Sequence, residues 1–487
     1  MRFFQYITLA ALTLAAMPAC HDMLNQEPVS DYERNKFGRN TEEVNALVIA
    51  CYAGMRKPLD YEWMLTELRS DNSVQGSTGS SSTSNLELND LDMFRPATTH
   101  PSVYSYWYYT YQNVDAVNNT LEHLEFVDDS ALREQIEGEA LLIRSYHFFN
   151  LVRLYGPIFL SLKTLTPDEA KMKIRIGVTE VYGQLVADLK KAAAKLPPSY
   201  STVDLGRATS WAAKGMLAKV YLTIDSLEEA RVQLQDIIEN GPHKLLDSYA
   251  DVFSISNEMS SEILFAVRFK SGGVGMGSSF ANWFAPTGSG VDVVNGNGQG
   301  LNYPTASINA IYATNDSVRR NTCIGSYTNK IYVKKYLSYV TVRYDAENDW
   351  PVLRYSDVLL MYAEVLAKLR GAEHGMDYLN MVYHRATGER HNPILSLPDF
   401  MQELMNERRR ELAFENQRWF DLLRTGNAAE HMKNHIQVEE SSFYNGYRGD
   451  NVPRASDIGN PNRLLLPIPQ REIDTNNKTP IVQNVGY

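Results

Sequence analysis

The chain has 487 residues, enough to bury a large core or to form several lobes, and 44% of them are hydrophobic, which excludes a disordered polymer. Its formal charge is −11 with no basic run, which argues against nucleic acid as the main partner. The 29 Tyr and 6 Trp suit helix packing, and equally suit carbohydrate faces or peptide recognition; composition does not separate these.

Met1-Arg2 is a short basic start, and Phe3–Ala16 is an apolar run too short to span a bilayer, which fits the core of an export signal. Met17-Pro18-Ala19-Cys20 follows at cleavage distance. A small residue followed by Cys at this place looks like a bacterial lipobox, with Met17-Pro18 departing from the usual residues, so Cys20 is the expected lipidation site. Residues 1–19 therefore read as a signal peptide and 20–39 as anchor and tether. The remaining cysteines, Cys51 and Cys323, lie far apart and read as two isolated buried thiols, with no neighbouring metal knuckle or nucleophile pattern.

From Thr41 the pattern is helical. Val44, Leu47, Val48, Cys51 and Tyr52 recur at three/four spacing, and Trp63–Asn72 ends in a polar cluster. Ser73–Asn85 is Ser/Gly/Thr-rich and reads as an exposed loop. Tyr104–Leu124 is an aromatic helix with Trp107 as a core residue, and Glu137–Leu160 is a long helix stopped by Gly156-Pro157. Val178–Leu196 is amphipathic, Arg207-Ala208-Thr209 opens another helix, and Ser226-Leu227-Glu228-Glu229 reads as a capping box for the next. These helices form pairs of roughly thirty to forty residues, near the tetratricopeptide period but with a poorly met consensus. The expectation is a mostly α fold, a degenerate helical-hairpin scaffold over 40–260.

After a strand at Ser261–Phe269 the periodicity disappears. Ser271–Pro304 is Gly-rich and holds Trp283, Phe284, Asn302 and Tyr303; a stretch of that length without structure of its own points to a task. Lys330–Tyr344 alternates like a strand or hairpin, Asp345–Asp349 reads as a solvated turn, and Trp350 as structural. Residues 261–350 thus read as a loop-rich subdomain with a few short strands, and 351–487 as a C-terminal region packing on the scaffold.

Asn406–Gly426, NERRRELAFENQRWFDLLRTG, mixes bulky apolar residues with dense charge. Glu407, Glu411 and Glu415 recur every four residues on one helical side. Such a helix cannot bury its apolar side without burying charge, so internal Arg–carboxylate forks are expected rather than a catalytic pair. His431 and His435 have zinc-like spacing but no Glu between them and no third ligand, so an exposed helix end is expected. Gly296–Gly300 lacks the strand-to-helix setting of a phosphate loop, and no nucleophile elbow occurs. No catalytic residue, metal or cofactor is expected.

Glu407–Gly426 resembles the C-terminal signature of the SusD/RagB family of outer-membrane nutrient-binding lipoproteins, with Asn416 in place of the usual Gly at a turn or helix-end position. Further resemblances lie at Trp107/Tyr111/Val114/Asn118, Glu137–Pro157, Val352–Leu369, Leu379-Asn380 with Arg385-Ala386, and Leu465–Tyr487. The resemblance implies a lipid-anchored protein of the cell outer membrane, facing the exterior. It would capture an oligosaccharide and deliver it to a SusC-like TonB-dependent transporter. A RagB-type peptide carrier and a surface glycan hydrolase are the alternatives. Sugar capture needs flat aromatic faces beside Asp, Asn or Arg. Two regions supply both: Trp63 with Arg69, Asp71 and Asn72, and Trp283 with Phe284, Asn302 and Tyr303. Trp283 leads, because Gly, Ser and Asn surround it rather than periodic apolar residues.

Overall fold

The computed structural model describes residues 37–75, 83–328, 330–394, 396–439, 455–476 and 478–487. The expected leader, Cys20 and the tether as far as residue 36 lie outside them. Helices dominate: α1 (Thr41–Gly54), α2 (Arg56–Thr66), α3 (Thr83–Asp92), α4 (Pro101–Glu122), α5 (Ser130–Tyr155), α6 (Val178–Lys195), α7 (Ser210–Thr223) and α8 (Leu227–Asn240) come first. From α4 to α8 each packs on the next, as an array of helical hairpins requires. Asp129 accepts from the Ala131 and Leu132 N–H groups at the start of α5, and Thr209 accepts from Ala212 at the start of α7. The capping box at Ser226 does not form. Ser226 takes φ −83° and ψ 72°, away from the extended conformation of an N-cap, and its side chain makes no cap hydrogen bond.

The strands are short. β1 (Ser73–Val74) pairs with β3 (Tyr303–Pro304), β2 (Ile263–Val267) with β6 (Trp350–Arg354), and β4 (Ile324–Tyr327) with β5 (Lys330–Val333), all antiparallel. Two corrections follow. Ser73 and Val74 are buried in the β1–β3 pairing and Gln75 is buried beside them rather than looped out, and α3 begins at Thr83. In 330–344, strand structure ends at Val333.

The C-terminal region adds α10 (Tyr355–Arg370), α11 (Met376–Thr387), α12 (Leu397–Glu411), α13 (Arg418–Arg424) and α14 (Ala428–Glu439), while α9 (Phe280–Phe284) lies in the Gly-rich stretch. Helix α10 packs on α8, which carries the hairpin array into this region, and α11 and α12 cover its other sides. The signature segment is not one helix. It breaks between Glu411 and Arg418, where Phe414 and Asn416 are left-handed at φ 63° and 60°. Asn tolerates that conformation better than most residues, which is why it can stand at this turn. The turn is held from every side: Glu67 accepts from the Asn416 N–H at 2.7 Å, while Tyr336 and Tyr249 hydroxyls donate to the Phe414 and Glu411 carbonyls at 3.0 and 2.8 Å.

The expected forks are present and buried. Arg354 donates to both carboxylate oxygens of Glu415 at 2.8 Å and to Glu411 and Glu262 at 3.0 and 2.8 Å. Arg385 bridges Glu262 and Glu411 at 2.9 and 2.6 Å, and Arg319 joins Glu407, Glu411 and Asp316. Burial alone would push the Glu411 carboxylate up, but Arg385, Arg354 and Arg319 overcome it and hold it far below the usual range. Cys51 and Cys323 are buried and unpaired with each other, Trp107 is core, and Trp350 stacks on Tyr336 at 4.3 Å. Among the described residues no helix is long and apolar enough to cross a membrane.

Candidate functional site

The Gly-rich stretch is organised despite its composition. Asp345 accepts from the Gly272 and Gly273 N–H groups at 2.7 and 2.8 Å, and Ser278 and Ala346 exchange backbone hydrogen bonds. The expected solvated turn at 345–349 is therefore an anchor, with Asp345, Ala346 and Asn348 buried. Helix α9 packs Phe280 on Trp350 (4.7 Å between ring centroids) and Phe284 edge-on against Trp63 (5.0 Å). Those two rings face inward and leave Trp283 on the outer side, half-buried and braced at 5.7 Å against the Phe280 ring.

Asn282 fixes the surrounding backbone. Its amide donates to the Asn295 and Asn297 carbonyls at 2.9 and 3.1 Å, and its oxygen accepts from the Tyr344 N–H at 2.8 Å. Gln299 donates from its backbone to the Asn282 carbonyl at 2.8 Å and from its side chain to the Tyr344 hydroxyl. The Arg343 guanidinium lies 4.6 Å from the Tyr344 ring centre. Gly298 is required here, because a Cβ would sit 2.2 Å from the Ala285 carbonyl oxygen. The result is a half-buried Trp283 carried next in sequence to Asn282, whose hydrogen bonds hold Gln299 and Tyr344.

The other seven sequence candidates are buried. Trp63 is core. Arg69 lies between the Phe94 and Trp419 rings (4.9 and 4.7 Å) and donates to the Arg463 and Leu464 carbonyls. Asp71 accepts from Arg418 at 2.7 and 2.9 Å and lies 2.8 Å from the His431 ring, and Asn72 accepts from Arg409 at 2.8 Å. Phe284, Asn302 and Tyr303 are likewise covered, Tyr303 in the β3 pairing. The two candidate regions do meet, through Trp63–Phe284 and the β1–β3 ladder, but as packing. The expectation that Trp63–Asn72 presents a polar loop is corrected: its polar groups neutralise C-terminal arginines. Of the two histidines expected on an exposed helix end, His431 keeps 39% of its side chain exposed and His435 is half-buried. His431 is tied to Asp71, and burial holds the His435 ring at about 4. His391, Glu403 and Glu407 lie within metal-binding reach of one another, but Arg410 and Arg319 already occupy those carboxylates, a charge set that opposes a cation. Sequence reasoning missed Gln299, Arg343 and Tyr344; the Gly-rich composition and the aromatic at 344 were the available signals.

Comparison with known proteins decides the family. The profile described as SusD family matches residues 262–487, and the one described as starch-binding associating with outer membrane matches 22–222. The chain belongs to the SusD-like family. SusD-like protein P25 of Formosa agariphila is 25% identical over 94% of both chains. A SusD-like protein of Bacteroides ovatus is 25% identical over 87% of this chain and 83% of its own. Among solved structures, a laminarin-binding SusD-like protein superposes with a TM-score of 0.76 at 24% identity, over 92% of this chain and all of the other. Surface glycan-binding protein A from Bacteroides thetaiotaomicron, solved with laminarihexaose, gives 0.75 at 21% identity over 91% and 99%. The SusD-like fold is thus shared over nearly the full chain, with its helical scaffold and loop-rich partner region.

Proposed function

We propose that this SusD-like chain binds an oligosaccharide at the cell surface through Trp283 and passes it to a SusC-like TonB-dependent transporter of the outer membrane. The observation that carries the reading is the half-buried Trp283, braced by Phe280 and next to Asn282, which ties Gln299 and Tyr344 into the same loop framework. An indole face covers the C–H side of a pyranose, and the neighbouring polar groups reach its hydroxyls. Laminarin and laminarihexaose named with the structural neighbours support a glucan as the first ligand to try. The ion-paired carboxylates of the C-terminal segment are consumed internally, which favours capture without turnover.

Titration calorimetry of the mature protein with laminarihexaose, maltohexaose and cellohexaose tests this. Trp283→Ala is expected to weaken the best ligand at least about tenfold, with glycan chain lengths unchanged after incubation. An unaltered isotherm for that variant sinks the site; binding of peptides in place of every glycan sinks the cargo. Lipidation at Cys20 is the proposed anchor. Fatty-acid labelling that disappears in Cys20→Ser, together with co-purification of the barrel from detergent-solubilised outer membrane, is the expected result.

A further inference from the structure

Helix α4 carries a second aromatic surface that no part of the Trp283 framework contributes to. Tyr104, Tyr108, Tyr111 and Asp115 are spaced by four, three and four residues and so share one side of the helix. Tyr104 and Tyr108 stack at 5.8 Å and 29°, and Tyr109 stacks on Tyr61 of α2 at 6.0 Å and 13°. The rungs are fixed in place. Lys57 sits 5.7 and 5.6 Å from the Tyr61 and Tyr109 ring centres, and Arg471 lies 5.2 Å from that of Tyr104.

Tyr108, at the end of this ladder, and Tyr111 line a groove of about 380 Å³ running between α4, the 159–173 segment and Glu472. Its floor is apolar and aromatic, with Trp107 held edge-on to Phe159 at 5.6 Å. Its rim is polar: Gln112 is exposed, and Asp115, Lys173 and Glu472 are half-buried. Tyr108, 46% exposed, forms one lip. Flat rings below and a mixture of carboxylate, amide and ammonium above are the requirements of a sugar chain, whose rings have an apolar face and a hydroxyl edge. A groove meant for a charged polymer would carry one sign, and this one carries both. Tyrosines fixed before a ligand arrives also lose little rotamer freedom on binding.

We infer that this α4 groove is a second oligosaccharide-binding site, separate from Trp283, so that one protein holds a glycan chain at two places. The test titrates wild type, Trp283→Ala, Tyr108→Ala and the double variant with laminarihexaose, maltohexaose and cellohexaose. Tyr108 is exposed, so its truncation leaves the fold intact, which circular dichroism verifies; Gln112→Ala serves as a second groove variant. Wild type is expected to take two hexasaccharides, each single variant to weaken one of the two at least about tenfold, and the double variant to bind neither measurably. Stoichiometry and affinities unmoved by both Tyr108→Ala and Gln112→Ala overturn the inference, as does a wild type that takes only the ligand lost in Trp283→Ala. The same groove variants binding glycan normally but losing the transporter barrel would make this face a protein-docking surface, which also overturns it. If Tyr108→Ala abolishes binding while Trp283→Ala does not, the groove stands and the Trp283 reading falls.

Discussion

Arg354→Met is expected to cost the protein roughly 3–5 kcal/mol, the range for breaking a buried ion pair by removing one partner. Arg354 is 1% exposed and its guanidinium serves Glu262, Glu411 and Glu415, as well as the Glu411 carbonyl and the Ser356 hydroxyl. Methionine fills similar space but offers no donor. The three carboxylates would remain buried, with Arg385, Arg319 and Lys335 supplying only part of the lost charge. The loss is amplified by position, because Glu411 ends α12 and Glu415 lies inside the turn to α13, between the left-handed Phe414 and Asn416. Urea unfolding followed by tryptophan fluorescence measures it, with Lys163→Met as control. Lys163 also makes a 2.7 Å ion pair, with Glu169, but both side chains are in solvent, so its removal should leave the midpoint nearly where it was. Equal shifts for the two variants would show that the buried network contributes no more than a surface pair.

How far the sequence can be read depends on whether a residue's partner is implied by its neighbours. Glu407 and Glu411 sit in a helix that mixes apolar residues with arginines, so burial with internal pairing follows from local composition. The partners themselves do not, because beside the local Arg410 they are Arg319, Arg354 and Arg385, and those paired with Glu411 lie 92, 57 and 26 residues away. At Asn416 only the family resemblance points to a turn or helix end, with which its φ of 60° agrees; the residues by themselves read as one continuous helix. Asp71 and Asn72 are not legible. A polar cluster after a helix looks the same whether it meets water or a distant arginine, and Arg418 and Arg409 are 347 and 337 residues away. Trp283 stands out because its neighbours are small and polar. Phe284, next to it, has the same neighbours but lies on the inner side of a five-residue helix too short to show a period. The tyrosines of α4 show the converse. Their helical spacing is plain and suggests packing, yet periodicity places residues on one side without saying whether another element covers it.

Asp92→Asn is expected to raise stability at alkaline pH and to change little at pH 3. Asp92 ends α3, is buried, and accepts from the Gln75 N–H at 3.2 Å. Burial pushes its carboxyl up from 3.8 to about 8, and the Gln75 N–H pulls back only part of the way. Because the native pKa lies above the unfolded one, the native protein holds this proton more tightly. The associated stability is complete below about pH 4, where both states are protonated, and drains away as pH climbs toward 8. Every tenfold gain in the native state's proton affinity corresponds to about 1.4 kcal/mol, so this one carboxyl accounts for a few kcal/mol between pH 5 and pH 9. Asparagine keeps an oxygen for Gln75 and has no proton to lose, so it removes that slope. Glu67 and Glu139, both pushed to about 7 by burial, slope the same way and remain in the variant, so its curve should flatten without becoming level. At the acid end the sign reverses. Burial opposes the Glu364 charge, but Arg424 and Lys368 hold that carboxyl down at about 2, so its contribution is lost as pH falls from about 4.3 through 2 in both proteins. Melting midpoints at pH 3, 5, 7 and 9 distinguish the cases: the two curves should coincide at 3, begin to part by 5 and lie furthest apart at 9, whereas a constant offset would mean that Asp92 is charged throughout and finds its solvation in some other way.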